Sequence, residues 1–214
     1  WKDQTRAKLK SVTLYTGEES EEKAKLTLNY SSFDNTVKTS TVFVYTGDQN
    51  NEILLRSVTY KKEVTLAQAA ALTSVQADNG TEAFTNIRKS LSVYSGEPGE
   101  EKVRSTYNFR PDSVNRLNYS SVTTFDYEDD TLKGSTTSKM RLVNGIMAFK
   151  ITSTSVYTGW ENEERLLDTY NWRLSGSVKS YTHYTYNASD VLTRSDTWKD
   201  QTRAKLKSVT LYTG

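Results

Sequence analysis

SVTLYTGEESEEKAKLTLNY, residues 11–30, is the stretch whose reading decides the fold. A Tyr-Thr-Gly triplet leads into an acidic run. An alternating segment follows, with Ala24, Leu26, Leu28 and Tyr30 on one face and Lys23, Lys25, Thr27 and Asn29 on the other. Alternation with a period of two predicts a strand with one buried and one wet face, as antiparallel sheets have. A glycine where the strand ends supplies the positive φ that a tight reversal needs. The stretch therefore reads as a β-hairpin.

The hairpin recurs. TVFVYTGDQNNEILLRSVTY (41–60), LSVYSGEPGEEKVRSTYNF (91–109), TSVYTGWENEERLLDTYNW (153–172) and SVTLYTG (208–214) carry the same pattern. Tyr15, Tyr45, Tyr94 and Tyr157 open the four complete copies and Tyr212 a fifth. Gly17, Gly47, Gly96 and Gly159 follow two residues on. Glu22, Glu52, Glu101 and Glu164 stand seven residues after the first Tyr, and Tyr30, Tyr60, Phe109 and Trp172 fifteen residues after it. Repetition at equivalent positions gives these residues a structural role in turn and hairpin. Each Glu is expected to meet a Lys or Arg across the hairpin, worth roughly 0.2–1 kcal/mol.

A longer period encloses the short one. Trp1–Gly17 and Trp198–Gly214 are identical, WKDQTRAKLKSVTLYTG, with an offset of 198 − 1 = 197 residues. The simplest physical reading is a tandem array in which 1–197 is one repeat unit and 198–214 begins the next. An engineered chain with overlapping ends would leave the same signature. Turn signals near GEESE, FDN, GDQNN, KKE, ADNG, GEPGE, RPDS, EDD, NG, GWENE, LSG, NASD and KDQ divide the chain into about thirteen strands. Asn144-Gly145 is the sharpest, because Asn-Gly favours the two-residue turn that matches strand twist. In a pure meander an odd number would reverse strand direction from one unit to the next, which screw-related units forbid. One element is therefore miscounted. The suspect is 64–76, VTLAQAAALTSVQ, helix-prone at its centre: a short helix, a crossover or an irregular strand, kept here as a strand. At roughly 4.8 Å per strand, thirteen strands make a path of about 62 Å, too wide to stay flat.

Composition agrees with an extended β-structure. Hydrophobic residues are 35%, but aromatics reach 11%, with 14 Tyr and only 2 Pro. Thr, Tyr and Val suit a pleated, half-wet surface, and this load of aromatic residues argues against disorder. Twenty-eight basic residues against 26 acidic ones, interspersed along the chain, leave no electrostatic footprint for nucleic acid. No apolar run approaches the roughly 18 residues of a membrane-spanning helix. Without cysteine there are no disulfides, thiolate metal sites or cysteine nucleophiles.

Several turns carry an aromatic-x-aromatic signature: Tyr184-Thr185-Tyr186-Asn187 before Val191-Leu192-Thr193-Arg194, Phe125-Asp126-Tyr127 before Leu132-Lys133, Tyr107-Asn108-Phe109 before Val114-Asn115-Arg116-Leu117, and Tyr170-Asn171-Trp172 before Val178-Lys179. This resembles the YD/RHS repeat, with departures. Asn187 stands where Asp is expected, the turn glycine is missing there, and Arg194 is displaced. The resemblance implies a spiralling sheet of hairpins, extracellular or in a secreted toxin, in which the repeats are scaffold and no catalytic residue carries over.

Candidate chemistry is sparse. His183 is the single histidine and reads as a cross-strand residue, and no G-x-S-x-G elbow accompanies it. The acidic turns Glu128-Asp129-Asp130, Glu18–Glu22 and Glu161–Glu164 lack the spacing of a calcium loop and read as solvated. Trp160, Trp172 and Trp198 could form a sugar-stacking platform, but cross-strand pairing beside turns explains them as well. Asn29, Asn79, Asn118 and Asn187 head glycosylation tripeptides, which arise by accident in a Thr/Ser-rich chain.

These readings converge on an all-β fold of antiparallel hairpin repeats coiled into a tube or β-solenoid-like filament. The expected role is structural and not enzymatic: an extracellular or cell-surface filament, stalk or sheath. Its partner is itself, adjacent units along the filament, with no cofactor, nucleic acid or membrane insertion. The rival roles are an adhesin tract that grips glycans and an RHS-like shell around a toxin.

Overall fold

The computed structural model describes residues 9–46, 52–84, 87–110 and 118–213. Gly47, Trp1–Lys8, Val114–Leu117, Gly214 and residues 111–113 of the RPDS turn lie outside the described residues. The described chain forms an all-β antiparallel sheet with the strands β1 (Ser11–Thr16), β2 (Lys23–Tyr30), β3 (Val37–Thr46), β4 (Ile53–Lys61), β5 (Arg88–Ser95), β6 (Lys102–Phe109), β7 (Tyr119–Glu128), β8 (Thr131–Val143), β9 (Ile146–Thr158), β10 (Arg165–Trp172), β11 (Val178–Tyr186), β12 (Leu192–Trp198) and β13 (Leu206–Leu211). Their hydrogen-bonded order is the order of the chain, and the sheet is not closed. Asn144 and Gly145 link β8 to β9 with φ of 50° and 81°, the two positive values of the tight hairpin turn.

The stretch 64–76 is not a strand. It forms α1 (Leu66–Ala71) and the start of α2 (Ser74–Asn79). Thr65 and Thr73 each accept a bond from the backbone three residues on, while Gln68 and Gln76 reach back to the cap backbone. Two Thr-x-x-Gln capping boxes in succession thus start two short helices, and alanines fill the first. Removing this element from the strand count resolves the parity conflict. β1 to β12 fill the 197-residue offset, and β13 already lies in the second copy of the repeated segment. Twelve is even, the parity that the tandem-array expectation asks for.

The chain divides into two compact units, Trp1–Ser120 and Ser121–Gly214. In the first, an apolar row crosses six strands through the pairs Leu14↔Leu26, Leu26↔Val42, Val42↔Val58, Val58↔Leu91 and Leu91↔Tyr107. The helical insert covers this face. Val64, Ala69, Leu72, Ala77 and Phe84 join Leu26, Val42, Val58 and Tyr60 in one buried core. On the opposite, wet face Thr13 pairs with Thr27 and Thr41 with Thr59, each through hydroxyls 3.0 Å apart.

The second unit has no helical layer. Of its apolar side chains only Tyr181 counts as buried, while Leu142, Ile146, Met147, Phe149 and Ile151 on the β8–β9 hairpin stand exposed. Its cross-strand rows are correspondingly polar, for example Val156↔Asp168, Asp168↔His183 and His183↔Asp196. An uncovered sheet cannot desolvate both faces, so polar and aromatic side chains occupy the rows that hold aliphatic ones in the first unit.

Candidate functional site

The singled-out residues gather at the two ends of each hairpin. Six hairpins, β1–β2 through β11–β12, share one irregularity near the loop. After Leu14↔Leu26 the register jumps to Tyr15↔Ala24, leaving Lys25 unpaired. Leu55, Arg104, Lys133, Leu167 and Thr193 are skipped in the same way opposite Tyr45, Tyr94, Tyr127, Tyr157 and Tyr186. Each is a β-bulge, which bends the strand and adds right-handed twist. Gly17, Gly96 and Gly159 sit at φ of 126°, 140° and 116°. A Cβ on them would lie 2.8, 2.7 and 2.5 Å from the carbonyl oxygens of Glu21, Glu100 and Glu163. The loop can close only over a glycine.

Two of the repeated glutamates accept a backbone N–H of another hairpin. Glu101 accepts the backbone N–H of Leu54 at 2.8 Å, and Glu164 that of Leu132 at 3.1 Å. Each carboxylate therefore ties its loop to the bulge region of the hairpin before it. Glu52 lies close enough to Lys25 to oppose the lowering of that amine's pKa by burial. Glu22 has no described side-chain partner and is exposed. The opening tyrosines reach back likewise. Tyr94 meets Ser57 at 3.1 Å, Tyr157 meets Ser135 at 3.4 Å and Tyr212 meets Ser195 at 3.2 Å, while Tyr45 donates to the Ala24 carbonyl. Burial, reinforced by the negative charges of Glu101 and Glu52, pushes the Tyr45 phenol up to about 12.

At the far ends, successive hairpins meet in a second kind of bulge. Tyr30, Tyr60, Trp172 and Trp198 pair with Val37, Arg88, Val178 and Leu206, and a lysine is skipped each time: Lys38, Lys89, Lys179 and Lys207. The sequence signal for this joint is a residue-Lys-Thr/Ser triplet, present as VKT, RKS, VKS and LKS at 37, 88, 178 and 206. The hairpin pattern alone did not expose it, because it lies on the strand that follows the aromatic. Phe109 packs against Tyr119 with ring centroids 5.2 Å apart.

Two of these joints hold polar clusters. In the first unit Arg88 grips Glu82 through both carboxylate oxygens, at 2.7 and 2.6 Å, and donates to the Ala77 and Gln76 carbonyls. Tyr60 donates to the same Glu82 at 3.0 Å. Both charged side chains are 1% exposed, so this ion pair locks the helical insert to the sheet. In the second unit Tyr170, Tyr181 and Trp198 stack with centroids 4.8 and 5.4 Å apart, and the Arg203 guanidinium covers Tyr181 and Trp198. Arg203 donates to the Tyr181 hydroxyl, which donates to Asp168, which also bonds His183 at 2.8 Å. Burial and then the Asp168 bond push the Tyr181 phenol up to about 12.

The arrangement holds the sheet together. His183 is bound across the strands to the Asp168 carboxylate, which it shares with the Tyr181 hydroxyl. Among the described residues no group of three His, Asp or Glu side chains converges as a metal site would need. Trp160 is 80% exposed in the loop before β10, whereas Trp172 ends that strand. The three tryptophans therefore do not make one platform.

No known protein family and no curated protein sequence matches the chain. Among solved structures it is similar to a protein of unknown function from Bacteroides fragilis at 13% identity, with 80% of this chain and 91% of that one covered and a TM-score of 0.23. It is also similar to the Tc holotoxin pore of Photorhabdus luminescens, a toxin complex, at 12% identity and a TM-score of 0.22. There the alignment covers 95% of this chain and a tenth of that one, 10%. Scores this low do not establish a shared fold.

Proposed function

We propose that the chain is a structural repeat module that extends one antiparallel sheet from copy to copy, coiling into a tube or solenoid-like filament or stalk outside the cell. Its work is mechanical and not catalytic, and its partner is the adjoining unit. The observation that carries this reading is the joint between β12 and β13. β13 belongs to the second copy of the repeated segment, yet Trp198 opposes Leu206 across the skipped Lys207 as Tyr30 opposes Val37 across Lys38. The connecting turns also match. Thr36 donates its backbone and hydroxyl to Asp34, as Thr202 does to Asp200. The step between copies is thus built like a step within one.

With twelve strands per offset, each further copy adds about 58 Å of sheet path at roughly 4.8 Å per strand. Chains of one, two and three 197-residue periods, imaged by electron microscopy, test the reading. A continuous rod of constant width that lengthens by a fixed step is expected. Separate beads on flexible linkers would overturn it.

A further inference from the structure

The same strand appears twice, and its two copies use opposite edges. In β1 the Tyr30 amide bonds the Lys10 carbonyl, so antiparallel alternation directs the backbone groups of Lys10, Val12 and Leu14 toward β2. In β13 the Tyr212 amide bonds the Thr193 carbonyl, which directs Ser208, Thr210 and Tyr212 toward β12. Subtracting the offset of 197, these last three are Ser11, Thr13 and Tyr15, the residues whose backbone groups β1 turns away from β2. Three side-chain features point the same way. Leu9-Lys10-Ser11 carries the joint triplet without an aromatic opposite it among the described residues. Tyr15 is 60% exposed, where Tyr94, Tyr157 and Tyr212 each meet a serine of the preceding strand. Glu22 holds no described backbone N–H, where Glu101 and Glu164 hold those of Leu54 and Leu132, the partners of Tyr45 and Tyr127.

Resting on the scaffold reading above, we propose that the edge of β1 turned away from β2, unpaired among the described residues, is a docking edge for β12 of a second copy of this chain, in the register that β13 now occupies. Leu14 then faces Arg194, Thr13 faces Ser195, Val12 faces Asp196, Ser11 faces Thr197 and Leu9 faces Trp198. Tyr15 reaches Ser195, and Glu22 takes the backbone N–H of Leu192, the partner of Tyr186. β13 offers β12 the same backbone bonds as β1, and an incoming β1 also brings Glu22 and its own paired β2. Being tethered, β13 wins at low concentration, because tethering acts as an effective concentration of about millimolar.

The test mixes two full-length chains. The acceptor carries Arg194→Cys and Thr210→Pro, since proline removes the amide through which β13 bonds Ser195. The donor carries Leu14→Cys. Leu14 and Arg194 would form a non-hydrogen-bonded pair, whose Cα spacing of about 4.5 Å suits a disulfide. A cross-linked dimer of doubled mass is expected. It should vanish when the donor also carries Thr13→Pro, or when Thr13→Cys replaces Leu14→Cys and turns the thiol to the other face. Association without the 14–194 disulfide overturns the docking register and leaves the scaffold reading standing. No association between donor and acceptor, with β-type circular dichroism retained in both, overturns the docking edge. Beads in the tandem chains would separately overturn the scaffold.

Discussion

The two units use the same hairpin and stabilise it differently. In Trp1–Ser120 the helical insert covers the sheet, and the row from Leu14 to Tyr107 is apolar and largely buried. In Ser121–Gly214 no helix covers the sheet, and stacked rings and the Arg194–Asp196 ion pair replace the aliphatic row. Loop glycines, near-loop bulges and far-end aromatics are common to both. The hairpin thus sets strand register, and the layer above it sets where the stability lies.

Changes at the cover should separate the units most. Arg88→Ala leaves the Glu82 carboxylate buried without its cation and should cost about 3–5 kcal/mol. Arg203→Ala, at an exposed cation, should cost less than about 1 kcal/mol. Urea denaturation followed by circular dichroism measures both, and equal losses would erase the distinction. Next comes the core. Leu26→Ala should cost about 2–5 kcal/mol by opening a cavity beneath the helices. Leu206→Ala, at a side chain 54% exposed, should fall within about 0.5 kcal/mol of the parent.

The hairpins themselves should respond alike. Gly96→Ala and Gly159→Ala each force a side chain onto a loop carbonyl at positive φ and should each cost roughly 1–3 kcal/mol. A loss confined to one unit would show that the loops are not equivalent.

Alkaline pH should touch both units least. Tyr45 and Tyr181 have phenols raised to about 12, one in each unit. A raised folded-state pKa stabilises the fold fully below the unfolded value near 10, and that stabilisation is lost as pH climbs toward 12. Ultraviolet absorbance should show these two phenols among the last to ionise, with stability falling over that window. Ionisation of both near 10 would contradict the assignment.

The strands were legible in the sequence because alternation and turn chemistry are local. Leu26 and Leu28 are buried, whereas Lys23 and Lys25 are only half-buried, as their spacing requires. The helical insert was half legible in the helix-prone centre of 64–76, and its two Thr-x-x-Gln boxes carried the rest of the signal. The glutamates were visible as a repeat, but their acceptor role was not. Their partners, Leu54 and Leu132, are backbone amides of another hairpin, which leave no mark on composition. Arg88 was not singled out at all. Only its place opposite Tyr60, where the other joints hold Val37, Val178 and Leu206, makes it stand out.

Residue-resolved amide hydrogen exchange on the 214-residue chain tests most directly whether one strand sequence serves as both the inner and the outer member of a joint. Two identical stretches should give opposite patterns: Val12 and Leu14 slow with Ser11 and Thr13 fast, and Ser208 and Thr210 slow with Val209 and Leu211 fast. In a two-period chain the strand at the junction should become slow at every one of these positions. Matching protection in the two stretches, or a junction strand that still exchanges on one edge, would contradict a sheet that runs on from copy to copy.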